Sequence, residues 1–156
     1  MMPRRLISRR SATDGDDGQV AVLIIGYMLI SLLVVSVVMA ASSLYLGHKK
    51  LLSAADGAAL AAAGGFTLGQ GGGADGGPSA VLTPAGVRAE AGRYLTDTGA
   101  AGRLAGLTVA AETGSPDGRT ARVVLTGVVH PPLVNFLVPE GIPLTAVSEA
   151  RARLTR

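Results

Sequence analysis

Twenty-eight consecutive residues, from Val20 to Gly47, carry no charged side chain. An α-helix rises about 1.5 Å per residue, so about 20 apolar residues cross a hydrocarbon core of roughly 30 Å. The run exceeds that length, and the sequence therefore predicts a membrane-spanning helix over residues 20–47. A secretory signal peptide is the alternative, because residues 40–43 could imitate a cleavage site, although its apolar core usually has only about 7 to 15 residues.

The charges that flank this run predict its orientation. Cytoplasmic flanks of membrane helices carry an excess of Lys and Arg. Four arginines precede the run and two lysines follow it: Arg4, Arg5, Arg9 and Arg10, then Lys49 and Lys50. We therefore predict a cytoplasmic leader over residues 1–19 and an extracytoplasmic C-terminal part. Tyr45, Lys49 and Lys50 are expected to lie at the lipid headgroups.

The helix is predicted to continue beyond the membrane over residues 48–63, since Leu51–Ala63 contains almost only strong helix formers. Small residues recur there every four positions, which allows helix backbones to approach closely. The predicted helix-packing interface consists of Ala54, Asp56, Gly57, Ala58, Ala61 and Ala62. The alternative is that these alanines only favour helix formation and do not form a packing interface. Asp56, the one charge in this block, is either a solvated surface residue or an inter-subunit salt-bridge or hydrogen-bond partner.

Residues 64–77 include eight Gly in fourteen positions, a composition typical of a flexible linker. We place the linker at residues 64–80 and a small extracytoplasmic domain at residues 81–156. Thr83-Pro84 predicts a helix start, and that helix should end near Gly99. Strands are predicted over residues 107–113, 119–129 and 143–154, the first two joined by a turn at Ser115–Gly118. The fold class is therefore α+β, with one helix on an antiparallel sheet of about three strands.

Few residues in this chain are suited to catalysis or ligand chemistry. It has no Cys and only two His, which leaves almost no material for a metal site or a Ser-His-Asp arrangement. The net charge of +3 is not arranged as a basic stripe with interleaved aromatics, so nucleic-acid binding is not expected. We predict no enzyme activity, no cofactor and no metal. His130 is expected to be a surface residue at a strand end.

Aromatic residues make up only 3% of the chain, so the extracytoplasmic core must be built from Val, Leu and Ala. Such a core is thin, and contacts with partners could be needed to complete it. Residues 133–138 are largely apolar. They either complete this core or form a patch, with Leu133, Phe136 and Leu137, that docks on a partner subunit or the membrane surface.

Three stretches together resemble TadE/TadG-like proteins of tight-adherence (Flp) pilus assembly. They are Gly18-Gln19-Val20-Ala21-Val22 at the helix entrance, Leu44-Tyr45-Leu46 near its exit, and the alanine-rich block from Lys49 to Ala63. A weaker likeness covers residues 146–154. The resemblance implies a single-pass protein of a bacterial cytoplasmic membrane, a minor pilin (pseudopilin) or accessory protein. Its partners would be membrane lipid and other pilin-like or pilus-assembly membrane proteins, with homo- or hetero-oligomers formed through the long helix.

The resemblance also suggests a processing site, because pilin-type precursors are cut after a Gly on the cytoplasmic face. Gly18 and Gln19 fit that position. The Glu expected at the fifth mature residue is missing, since Leu23 stands there, and the span contains no carboxylate. Retention of the leader as a permanent anchor is therefore the default expectation. A generic membrane-anchored binding or scaffold protein of the cell envelope is the alternative to a pilus-assembly role.

Overall fold

The structure, a computed structural model, describes residues 16–69, 79–132 and 138–153. A helix, α1 (Asp16–Gly64), runs through two compact units, of which one ends at Val38 and the other starts at Met39. The second unit also contains β1 (Thr67–Gly69), β2 (Ser79–Val81), α2 (Pro84–Asp97), α3 (Ala100–Arg103), β3 (Thr108–Val109), β4 (Thr120–Val129) and β5 (Ile142–Arg151). This arrangement confirms the predicted α+β class with a long N-terminal apolar helix.

Helix α2 begins where the sequence predicts it. The Thr83 hydroxyl accepts a hydrogen bond from the Gly86 N–H at 3.1 Å, and Pro84 occupies the first helical turn, where its missing N–H costs no helical hydrogen bond. The chain leaves α2 through Thr98 and Gly99, whose φ of 63° is left-handed. Glycine adopts that conformation without the steric cost of a Cβ. The predicted helix end near Gly99 is thus confirmed.

Strands β3, β4 and β5 form an antiparallel sheet in that order. Val124 pairs with Val147 and Leu125 with Ala146 in the β4–β5 ladder. Alternate residues of β4 enter the core, as expected for a strand with one packed face; they are Ala121, Val123 and Leu125. The sheet thereby provides one wall of the core.

Strand β3 is shorter than the predicted strand over residues 107–113, because the chain turns at Ala111 and Glu112. Beyond this turn the buried Thr113 side chain forms hydrogen bonds with the backbone of β4. Its hydroxyl donates to the Val124 carbonyl at 3.1 Å and accepts from the Val124 N–H at 3.0 Å. The Val124 carbonyl also accepts from the Ala110 N–H at 2.9 Å, so both backbone groups of Val124 are satisfied at the point where β3 has ended.

The outer half of α1 is part of the domain core. The sequence predicts a different arrangement, in which a flexible linker separates this helix from the domain. Its buried residues share one cluster with Val87 and Ala91 of α2 and Leu125 of β4. These α1 residues are Leu51, Ala55, Ala58, Ala59, Ala62 and Ala63. The predicted linker, residues 64–80, contains β1 and the first two residues of β2. These two strands pair in antiparallel fashion. A core without Trp and with few large side chains has to use this helix as one of its walls.

Candidate functional site

The first part of α1 has the surface of a membrane helix. Its large apolar side chains are exposed all around, among them Val22, Leu23 and Tyr27, and the helix is long and apolar enough to cross a membrane. Two of its serine hydroxyls find partners within the helix, since Ser36 donates to the Leu32 carbonyl at 2.7 Å and Ser43 to the Ala40 carbonyl at 2.9 Å. Such internal bonds remove the cost of a polar group in lipid.

The predicted processing site lies at the start of the described part of α1. Gly18 and Gln19 are helical and exposed, and nothing lies within 4 Å of a Cβ placed on Gly18. Cleavage after Gly18 stays a prediction. The leader up to residue 15 is outside the described residues.

Residues at the end of the uncharged run have the features of a membrane boundary. The Lys49 ammonium lies 5.7 Å from the centre of the Tyr45 ring, within the range of a cation–π contact. Both side chains are exposed. An aromatic ring and a lysine paired in this way are typical of residues that anchor a helix at lipid headgroups.

The predicted interface residues of α1 divide into two faces. Ala58 and Ala62 are buried in the core of this chain, and Ala54, Gly57 and Ala61 are half-buried beside it. Their small size serves close packing inside the domain, where Tyr94 of α2 lies against Gly57. Contacts of these residues with other subunits stay a prediction.

The opposite face of the outer helix is open. Ser53, Asp56 and Leu60 are spaced three and four residues apart and are all exposed, Leu60 at 68%. Residues with this spacing lie on one side of a helix. Asp56 forms no ion pair within the described residues. Of the predicted interface residues, Asp56 is the one that lies on this open face, where other proteins can reach it.

Sequence reasoning missed the role of Arg88 of α2. Its Nε donates to the Thr113 carbonyl at 2.8 Å and its Nη2 to the Ala111 carbonyl at 2.9 Å. The side chain thus ties α2 to the segment that leads into β4. No signal in the sequence marks these acceptors, because they are backbone carbonyls of a turn.

Histidine and acidic side chains do not form clusters of three or more that could hold a metal ion within the described residues. His48 and His130 are both exposed, as expected for His130 at the end of β4. The proposed partner patch of Leu133, Phe136 and Leu137 lies outside the described residues.

Comparison with known families gives a match that coincides with α1. The family model described as "Putative Flp pilus-assembly TadE/G-like" matches residues 18–65, under a third of the chain. Nothing among curated proteins or solved structures matches the chain. The matched residues contain the apolar span, the membrane boundary and the alanine-rich outer helix. Residues 18–65 of this chain are therefore similar to the TadE/G-like family of Flp pilus assembly.

Proposed function

We propose that this protein is a minor pilin-like or accessory subunit of Flp-type pilus assembly. The observation that carries the proposal is the coincidence of the family match, residues 18–65, with almost the whole described length of α1. In this role the protein is anchored by one helix in the cytoplasmic membrane of a bacterium. Its N-terminus is cytoplasmic and its folded domain lies outside the cytoplasm.

The proposed mode of action is contact between proteins rather than catalysis. The face of α1 with Ser53, Asp56 and Leu60 supplies an exposed apolar side chain beside a carboxylate that has no ion-pair partner within the described residues. An apolar contact flanked by a charge favours a specific neighbour, because a wrong partner leaves the charge desolvated and unpaired. The expected neighbours are other pilin-like or pilus-assembly membrane proteins.

Site-specific photo-crosslinking in the native host tests this role. A photoreactive amino acid replaces Leu60 of α1 in one strain and Leu68 of β1 in a matched control strain. The two leucines are almost equally exposed, at 68% and 66%. We expect position 60 to give adducts with other pilus-assembly proteins and position 68 to give few. The same host without this gene should lose pili, and the intact gene should restore them.

Two results would contradict the proposal. Unchanged pilus number in the deletion strain would remove the assembly role, and adducts only with proteins unrelated to pili would favour a generic anchored scaffold. The intact mass of the mature protein provides a separate test of the leader. A chain that starts at Gln19 would identify a processed subunit, and a chain that starts at Met1 or Met2 would identify a permanent anchor.

A further inference from the structure

A cleft of about 600 Å³ opens beside the outer half of α1. Lys50 and Ser53 of α1 line one side, and Tyr94 of α2 and Arg103 of α3 line the other. Ala54 and Leu104 provide an apolar part of the lining. Small-molecule sites in proteins usually have volumes of about 300 to 1,000 Å³. The cleft therefore has the size and the mixed lining of a ligand site.

The charges of this cleft are all positive. Lys50 and Arg103 line it and no Asp or Glu does. Within the described residues neither cation belongs to an ion pair. Arg103 uses Nη2 to donate to the Thr98 carbonyl at 2.8 Å, which leaves other N–H groups of its guanidinium for a ligand. Two cations without a counter-charge favour an anionic occupant.

Hydroxyl groups in the cleft supply further donors. Among the described residues, the Tyr94 hydroxyl has no hydrogen-bond partner, and the Ser53 hydroxyl has none either. A phosphate group accepts several hydrogen bonds at once, and arginine is well suited to bind its oxygens in pairs. The donors of this cleft thus fit a phosphate better than a single carboxylate.

The position of Lys50 indicates where such a phosphate comes from. Lys50 follows Gly47, the last residue of the uncharged run, by three positions, or about 4.5 Å along a helix. The neighbouring Tyr45 and Lys49 form the boundary contact described above. If α1 spans the membrane, the rim of the cleft therefore lies within the headgroup layer.

We propose that this cleft binds the phosphate diester of an anionic phospholipid headgroup. Lys50 and Arg103 pair with the phosphate oxygens, and Tyr94 and Ser53 donate hydrogen bonds to them. Ala54 and Leu104 contact the carbon atoms of the glycerol backbone. The proposal requires that α1 is a membrane anchor, and it does not depend on the proposed role in pilus assembly.

Native mass spectrometry of the full-length protein in a nonionic detergent tests the proposal. The protein is titrated with phosphatidylglycerol or phosphatidylcholine, and the apparent Kd of the one-lipid adduct is compared. We expect phosphatidylglycerol to bind about tenfold more tightly, because the choline cation of phosphatidylcholine, which has the same phosphate diester, is repelled by Lys50 and Arg103. The double variant K50Q/R103Q should lose this preference. The control R151Q/R153Q, which removes the same charge from two exposed residues outside the cleft, should keep it.

Folding and competing ligands are controlled separately. Lys50→Gln alone should reduce the preference without a change in thermal unfolding, because Lys50 has no ion pair or hydrogen bond within the described residues. An equal loss of preference in R151Q/R153Q would overturn the proposal in favour of diffuse surface charge. Displacement of the bound lipid by inorganic phosphate at the same concentration would show that the cleft binds free phosphate rather than a lipid headgroup, and would overturn the proposal. Tighter binding of a polyglutamate peptide would assign the cleft to an acidic protein partner instead.

Discussion

The ring of Tyr94 lies directly against Gly57, so closely that a Cβ at position 57 would come within 2.8 Å of Tyr94 Cε1. Gly57 lies inside α1, about two turns before the helix ends at Gly64, and glycine inside a helix costs about 1 kcal/mol relative to alanine. The Tyr94 ring occupies the space that a side chain at position 57 would need. This contact explains the presence of glycine at position 57 despite its cost to helix stability. The contact joins the long helix to α2 and closes one end of the domain core.

The Gly57–Tyr94 contact predicts opposite effects of one substitution in two backgrounds. Gly57→Ala should lower the free energy of unfolding by about 1–3 kcal/mol in the native protein, because the new methyl group overlaps the ring. In a Tyr94→Ala background the same change should raise it by up to about 1 kcal/mol, because only the helix propensity remains. Denaturant titration in mild detergent, followed by circular dichroism, measures both differences.

Gly92 offers a matched control for this cycle. It lies within α2, and nothing lies within 4 Å of a Cβ placed there. Gly92→Ala should therefore stabilise the protein by up to about 1 kcal/mol in either background. Destabilisation by Gly57→Ala that persists unchanged without the Tyr94 ring would contradict the proposed contact.

Burial of the outer helix predicts different costs for two leucines of α1. Leu51 is 1% exposed and Leu60 is 68% exposed. Leu51→Ala should lower the free energy of unfolding by about 2–5 kcal/mol, because it leaves a cavity in the core. Leu60→Ala should change it by less than about 0.5 kcal/mol. Similar small effects of both substitutions would mean that the outer helix stands apart from the domain as a spacer.

The hydrogen bonds of Arg88 predict a structural role for a surface-type residue. Arg88→Met removes two donors from the carbonyls of Thr113 and Ala111 and should lower the free energy of unfolding by about 1–3 kcal/mol. Arg93→Met is the control on the same helix. Arg93 pairs only with the partly exposed Glu90, at 3.1 Å, so its loss should cost about 0–1 kcal/mol. Equal costs in the same denaturant titration would refute the specific role of Arg88.

Local sequence signals predicted α1, α2 and the three-stranded sheet, but not the short elements α3, β1 and β2 or the way the elements pack. Thr83-Pro84 marked the start of α2 because capping depends on adjacent residues. The outer part of α1 is different, since an alanine-rich helix has the same local sequence whether it packs on another subunit or on its own domain. The same limit applies to Arg88, whose acceptors are 23 and 25 positions away in the chain. Contacts at that separation depend on the tertiary fold.

The turn before β4 predicts a pH dependence of stability at acid pH. Asp117 Oδ1 accepts from the N–H groups of Arg119 and Thr120, at 2.9 and 2.6 Å, and Oδ2 from the Thr120 hydroxyl. These bonds favour the charged form and lower the pKa of Asp117 from 3.8 to about 2. A lowered pKa in the folded state stabilises the protein above pH 3.8, and that contribution disappears as the pH falls toward 2.

Asp117→Asn should therefore lower the Tm by an amount that is constant above about pH 5 and shrinks as the pH falls to about 2. The substitution removes the titrating carboxylate but keeps an acceptor of similar shape. Thermal unfolding of both proteins by circular dichroism, at steps between pH 2 and pH 6, gives this difference. Asp97→Asn, the same change at an exposed residue that accepts none of these bonds, should show no such trend. A Tm difference for Asp117→Asn that stays constant down to pH 2 would mean that these three hydrogen bonds do not discriminate between the charged and neutral carboxyl group.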